Sequence, residues 1–191
     1  LTHGATDGSG GAIYSNADLT IDSVTFYENA AWDGSAGAIC TDDGDTTISN
    51  STFSYNAASS YGGAIACYGS SLTIDGSTFS HNTSGDHGGA IDDHQNHGTV
   101  VTNSVFENNF TTDEGGAIEN NGSDLVVRNS SFVGNHANLD GGAICDFSHT
   151  LDISGSRFVN NSSDSYGGAV SCFGRGLKID ASVFKIGRAH V

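Results

Sequence analysis

The sequence has no proline, no methionine, one tryptophan and only six lysines and arginines, against 22 acidic residues. The shortage of bases leaves a formal net charge of −16, a balance that repels nucleic-acid phosphates and anionic lipids and attracts cations. Nucleic acid is therefore not an expected partner. No apolar run reaches the length of a membrane-spanning helix, so this segment is not expected to insert into a bilayer. With proline absent, the chain must turn by other means, and its 27 glycines are the candidate punctuation. A leading methionine and the charged-then-apolar pattern of a secretion signal are also missing, so the chain reads as an excerpt of a longer protein. Its last residues, Ile186 to Val191, resemble the in-frame translation of a sequencing adapter, which leaves residues 1–185 as one domain.

What the sequence does have is a repeat. The motif Gly-Gly-Ala-Ile ends at Ile13, and its apolar last residue returns as Ile39, Ile65, Ile91, Ile118, Ile144 and Val170, every 26 or 27 residues. A second motif, Phe-x-x-Asn, keeps the same step through Phe26, Phe53, Phe79, Phe106, Phe132, Phe158 and Phe184. Five residues before each Phe stands a third apolar column, from Ile21 to Ile179, and two residues before that a fourth, from Leu19 to Leu177, in which Thr46 and Thr99 replace leucine.

Within a repeat the apolar residues alternate with polar ones in short bursts such as Leu19-Thr20-Ile21, which is the period of a strand. About three short strands per repeat are predicted. Strands this short bury their inward side chains only if the chain coils and identical coils stack. The fold class predicted is therefore all-β: a parallel β-helix, or solenoid, of about seven coils of 26–27 residues, a rod on the order of 30 Å long at about 4.8 Å per coil. The glycine pairs serve bends that need positive φ or close backbone approach. The asparagines Asn29, Asn56, Asn82, Asn109, Asn135 and Asn161 are expected to stack their amides between coils. The seventh Phe motif has Gly187 where asparagine belongs, so the repeat breaks where the adapter-like text begins.

Gly-Gly-Ala-Ile combined with Phe-x-x-Asn is similar to the polymorphic outer-membrane-protein repeat of autotransporter passenger domains and adhesin-like surface proteins. The resemblance spans residues 10–184, departing once at Ala36-Gly37-Ala38-Ile39. It implies a right-handed β-helix displayed outside the cell or on its surface, engaged in adhesion, with no catalytic residues to carry over. The expected partners are a surface glycan, a protein or another copy of the chain.

Two sets of side chains invite chemistry. Cys40 and Cys67 are 27 residues apart, as are Cys145 and Cys172. Neighbouring coils offset by one residue bring such Cα atoms to about 6 Å, within disulfide range. A bridge requires each strand to end in a bend there, since successive side chains otherwise face opposite ways; the alternative is two pairs of reduced thiols. The densest polar cluster is Asp92, Asp93, His94 and His97, with Glu119 and Asp146 on following coils. Asp92, Asp93, Glu119 and Asp146 could hold calcium, act as an acid and base on a glycan as in polysaccharide-active β-helices, or form a solvated acidic edge. The scattered His3, His81, His87, His136 and His149 follow no common column and read as surface residues. The outward column Thr20, Thr47, Thr73, Val100, Val126, Asp152 and Lys178 starts like an ice-binding threonine rank and ends charged. The leading expectation is a non-catalytic scaffold without a cofactor, calcium apart, with a carbohydrate-active enzyme and an ice-binding surface as alternatives.

Overall fold

A computed structural model describes residues 1–94 and 97–185; the adapter-like residues 186–191 lie outside the described residues. The chain forms four parallel sheets of seven strands each, and neighbours in every sheet are four strands apart in the sequence. Each coil therefore adds one strand to each sheet, and the described residues make seven coils. This is the predicted solenoid, with four strands per coil where about three were expected. The additional strand has two residues, as in Ala30–Ala31 and Thr83–Ser84, directly after each Asn of the Phe motif. It turns inward one small or polar residue per coil, such as Ala31, Ser84, Thr111 and Ala137, all buried. An element that short shows no alternation of apolar residues.

The predicted columns pair in register. Ile39 aligns with Ile13 and Ile65, Phe79 with Phe53 and Phe106, and Ile74 with Ile48 and Val101. Phe26 through Phe158 are buried, and successive rings lie within 5° of parallel with centroids 4.6–4.8 Å apart. That separation is the interstrand distance itself, so backbone pairing sets the stack. Each buried ring contributes about 1.5–3 kcal/mol. On the last coil the core is open: Leu177, Ile179 and Phe184 are exposed.

The expected asparagine ladder is present and buried. Asn56 Nδ2 donates to Asn82 Oδ1 at 2.9 Å and to the Phe26 carbonyl at 3.2 Å, and the backbone N–H of Asn56 donates to the same Asn82 oxygen. A serine ladder runs beside it: the N–H of Ser51 donates to Ser77 Oγ, that of Ser77 to Ser104 Oγ and that of Ser104 to Ser130 Oγ, while each hydroxyl donates two residues back along its own chain. The two glycines of the motif do different work. Gly62 has φ +59° and an added Cβ there would lie 2.0 Å from the carbonyl oxygen of Ile65 in its own coil, whereas on Gly63 it would lie 2.2 Å from the carbonyl oxygen of Gly89 on the next coil. The first position tolerates an L-residue at a cost, as at Ala36 with φ 61°, about 1–2 kcal/mol.

Candidate functional site

On each strand of the glycine-motif sheet the first and third residues face the core and the middle one faces away. The middle column is Tyr14, Cys40, Ala66, Asp92, Glu119, Cys145 and Ser171. Water does not reach most of it, because the bend before the strand folds back over it. Ala36, in that bend, packs with Cys40 and Ala66 in a small second core, with Tyr68 against its side. Asp92 and Glu119 come next in the same column and are 0 % exposed. The solvated acidic edge considered from the sequence is thus replaced by buried carboxyls.

The four candidate calcium ligands do not converge. Asp93 aligns with Cys67, a member of the main core, and Asp146 continues that inward column through Asn120. Thr99 Oγ1 donates to Asp93 at 2.5 Å, while Asn120 Nδ2 and Ser148 Oγ donate to Asp146 at 2.6 and 2.7 Å. Strand alternation therefore places Asp92 and Glu119 on one face of the sheet and Asp93 and Asp146 on the other, with the backbone between them. One ion cannot collect all four. His97 is exposed and stands outside the cluster.

The same alternation corrects the disulfides. Cys40 aligns with Ala66 and Cys67 with Thr41; Cys145 aligns with Ser171 and Cys172 with Asp146. The strands run straight through these positions without the bend a bridge needs, so Cys40 and Cys67 face opposite ways, as do Cys145 and Cys172. None of the four is in a disulfide. Burial pushes the Cys40 thiol up to about 12 and raises Cys145 further. At pH 8 the folded protein is expected to alkylate at Cys40 and Cys145 far more slowly than an exposed cysteine, since the thiolate is the nucleophile. In denaturant without reductant, intact mass should show four alkylated thiols. A species two hydrogens lighter per pair, and protected from alkylation, would restore the bridges.

Around Asp92 and Glu119 the structure gathers residues from three coils. His94 follows the Asp92 strand, its backbone N–H held by the carbonyl of Cys67 at 2.9 Å. His87 and Glu114 come from the bends, each directly before a motif glycine. Single ligand atoms of Asp92, His94 and Glu119 lie within 4.8 Å of one another, and so do those of His87, Glu114 and Glu119. The ring of Tyr61 stacks on His87 with centroids 5.5 Å apart, and Tyr68 meets His94 edge-on at 6.0 Å. His87 is paired loosely with Asp86 at 3.5 Å and Glu114 at 3.6 Å. Among the described residues no N–H or O–H donor reaches any of the four oxygens of Asp92 and Glu119. Desolvation, with the neighbouring carboxyl adding to it at Glu119, pushes both groups well above the usual carboxylate range. Without a cation, the hydrogen bond left to them is one proton shared between the two. The sequence places His87 only among scattered surface histidines, whereas it is about a quarter exposed and stacked under Tyr61, and Glu114 is not singled out; the column directly before the glycine pair, which reads Tyr61, His87, Glu114, Asp140 and Tyr166, carries the signal.

No curated protein and no solved structure matches the chain. The family model described as the right-handed β-helix region matches residues 9–184, the same span that coils in the structure, and the chain accordingly belongs to the right-handed β-helix family.

Proposed function

We propose that the chain is a non-catalytic, adhesin-like β-helical scaffold, related to the polymorphic outer-membrane-protein repeat and working outside the cell or at its surface. Right-handed β-helices include both non-enzymes and carbohydrate-active enzymes, so membership alone leaves both classes open. The observation that carries the scaffold reading is the complete burial of Asp92 and Glu119. An acid and base for glycoside cleavage must stand on either side of the scissile bond, and a sugar chain has no access to two carboxyls that face each other beneath a bend.

A surface suited to a glycan lies elsewhere, near the first coils. Trp32 and Tyr55, 63 % and 51 % exposed, line a shallow groove of about 340 Å³ with His3 and Glu28. His3 Nε2 and Glu28 pair at 2.9 Å. Aromatic rings beside hydrogen-bonding groups offer the combination that a neutral sugar, with apolar faces and a polar rim, can use. The purified chain would be screened against neutral and acidic polysaccharides for retention and for new reducing ends or unsaturated products. The expected result is retention of a neutral glycan, lost in Trp32→Ala with Tyr55→Ala, and no turnover. Turnover abolished by Asp92→Asn with Glu119→Gln would overturn the scaffold reading.

A further inference from the structure

We propose that Asp92, His94 and Glu119 bind one divalent transition-metal ion of the zinc class, a site on the outer face of the glycine-motif sheet and apart from the Trp32 groove. Two features point to a cation. Both carboxyls are fully buried, and all four of their oxygens lack a donor among the described residues. A single shared proton satisfies at most two of those oxygens, and holding the charges unpaired costs several kcal/mol per ion. A dication matches the two negative charges of the pair and gives the oxygens a common partner. His94 supplies the third ligand: it has no ion pair among the described residues, whereas His87 already lies against Asp86 and Glu114.

The donor set selects the metal. Calcium takes six to eight oxygen ligands, and magnesium retains several waters; two carboxyls and an imidazole in a tight, buried site suit an ion of low coordination number that accepts nitrogen. Ligand atoms around a tetrahedral zinc at about 2.0–2.2 Å lie roughly 3.4 Å apart. The ligand atoms here lie within 4.8 Å of one another, so the ion draws them together by side-chain adjustment on a fixed backbone. Glu114, which shares Glu119 with His87 in the second triad, and Tyr61, whose ring stacks on His87 at 5.5 Å and lies 6.5 Å from His94, flank the site.

The test uses the chain without a polyhistidine tag, stripped with chelator and titrated with zinc chloride by calorimetry, with metal content measured after gel filtration. One zinc per chain is expected, with a higher melting temperature, because binding to the folded state alone stabilises it. Asp92→Asn with Glu119→Gln, and separately His94→Gln, should each weaken zinc by about 100-fold or more, beyond the roughly 10–100-fold typical of outer-shell partners. His87→Gln should fall within that smaller range. Asp33→Asn with Asp43→Asn removes the same charge from exposed positions and should change nothing. The proposal is overturned by absence of stoichiometric zinc, by unchanged affinity in His94→Gln, or by calcium displacing zinc at equal concentration. If the double carboxyl variant does not fold in circular dichroism, the His94→Gln titration decides.

Discussion

Phe79→Asp is expected to unfold the middle of the solenoid. Phe79 is fully buried and stacks on Phe53 and Phe106, each with a centroid 4.8 Å away. Removing a core phenylalanine costs about 3–5 kcal/mol through lost burial and the void it leaves. A carboxylate in its place adds the penalty of a buried charge without a partner. In a stack each coil is held chiefly by its neighbours, so the damage should spread to the coils carrying Phe53 and Phe106. Thermal melts followed by circular dichroism should show a large drop in melting temperature or no cooperative transition. A melting temperature equal to that of the parent would mean that the column does not point inward.

The second large effect is expected at Asn82. Its Oδ1 accepts from both the N–H and the Nδ2 of Asn56, while its own Nδ2 donates to the Phe53 carbonyl and to Asn109 Oδ1, each at 3.0 Å. Asn82→Leu fills similar space but removes the acceptor of the Asn56 N–H and the side-chain donor to the Phe53 carbonyl, while Asn109 Oδ1 keeps the backbone N–H of residue 82 and Asn56 Nδ2 keeps the Phe26 carbonyl. Each buried polar group left without a partner costs about 1–3 kcal/mol, so the loss should exceed what the removal of one hydrogen bond would predict. Asn82→Asp keeps the acceptor for Asn56 but loses the donor to Phe53 and Asn109 and sets a buried carboxylate oxygen against both of their oxygens. It too should be clearly less stable than the parent, and by a smaller margin at low pH, where the carboxyl is protonated and can donate. Urea unfolding measures the order of the three proteins. Equal stability of parent and Asn82→Leu would show the asparagine column to be ordinary turn residues.

The columns that a 26-residue ruler marks in the sequence are the ones the structure stacks. Phe, Ile and Asn recur as single residue types, and one type at a fixed interval is visible without knowing the fold. The serine ladder of Ser51, Ser77, Ser104, Ser130 and Ser156 recurs just as regularly, but serine is common in this chain, so its rank blends into the background. The burial of Asp92 and Glu119 was hidden for another reason. An outward residue on a strand is ordinarily wet, and here it is dry because the preceding bend closes over it, a relation between residues brought together only by the coil. The cysteines show the converse. Their spacing is right to within one residue, yet that one residue turns a side chain to the opposite face of the sheet. His87 and Glu114 became significant only once the bend and the strand were seen to be neighbours.

The asparagine ladder also has a direction. From Asn29 to Asn135 every Nδ2 donates to the oxygen of the asparagine on the following coil and never to the preceding one. The side-chain dipoles therefore point the same way along the axis, their positive ends toward the last coil, and each polarises the next. Such a column has unlike ends. A second copy that prolonged it would have to meet donor with acceptor, head to tail, because end-to-end contact through a twofold axis sets like against like. A contact of that kind does not close on itself, so copies joined by prolonging the column would add head to tail rather than stop at a pair.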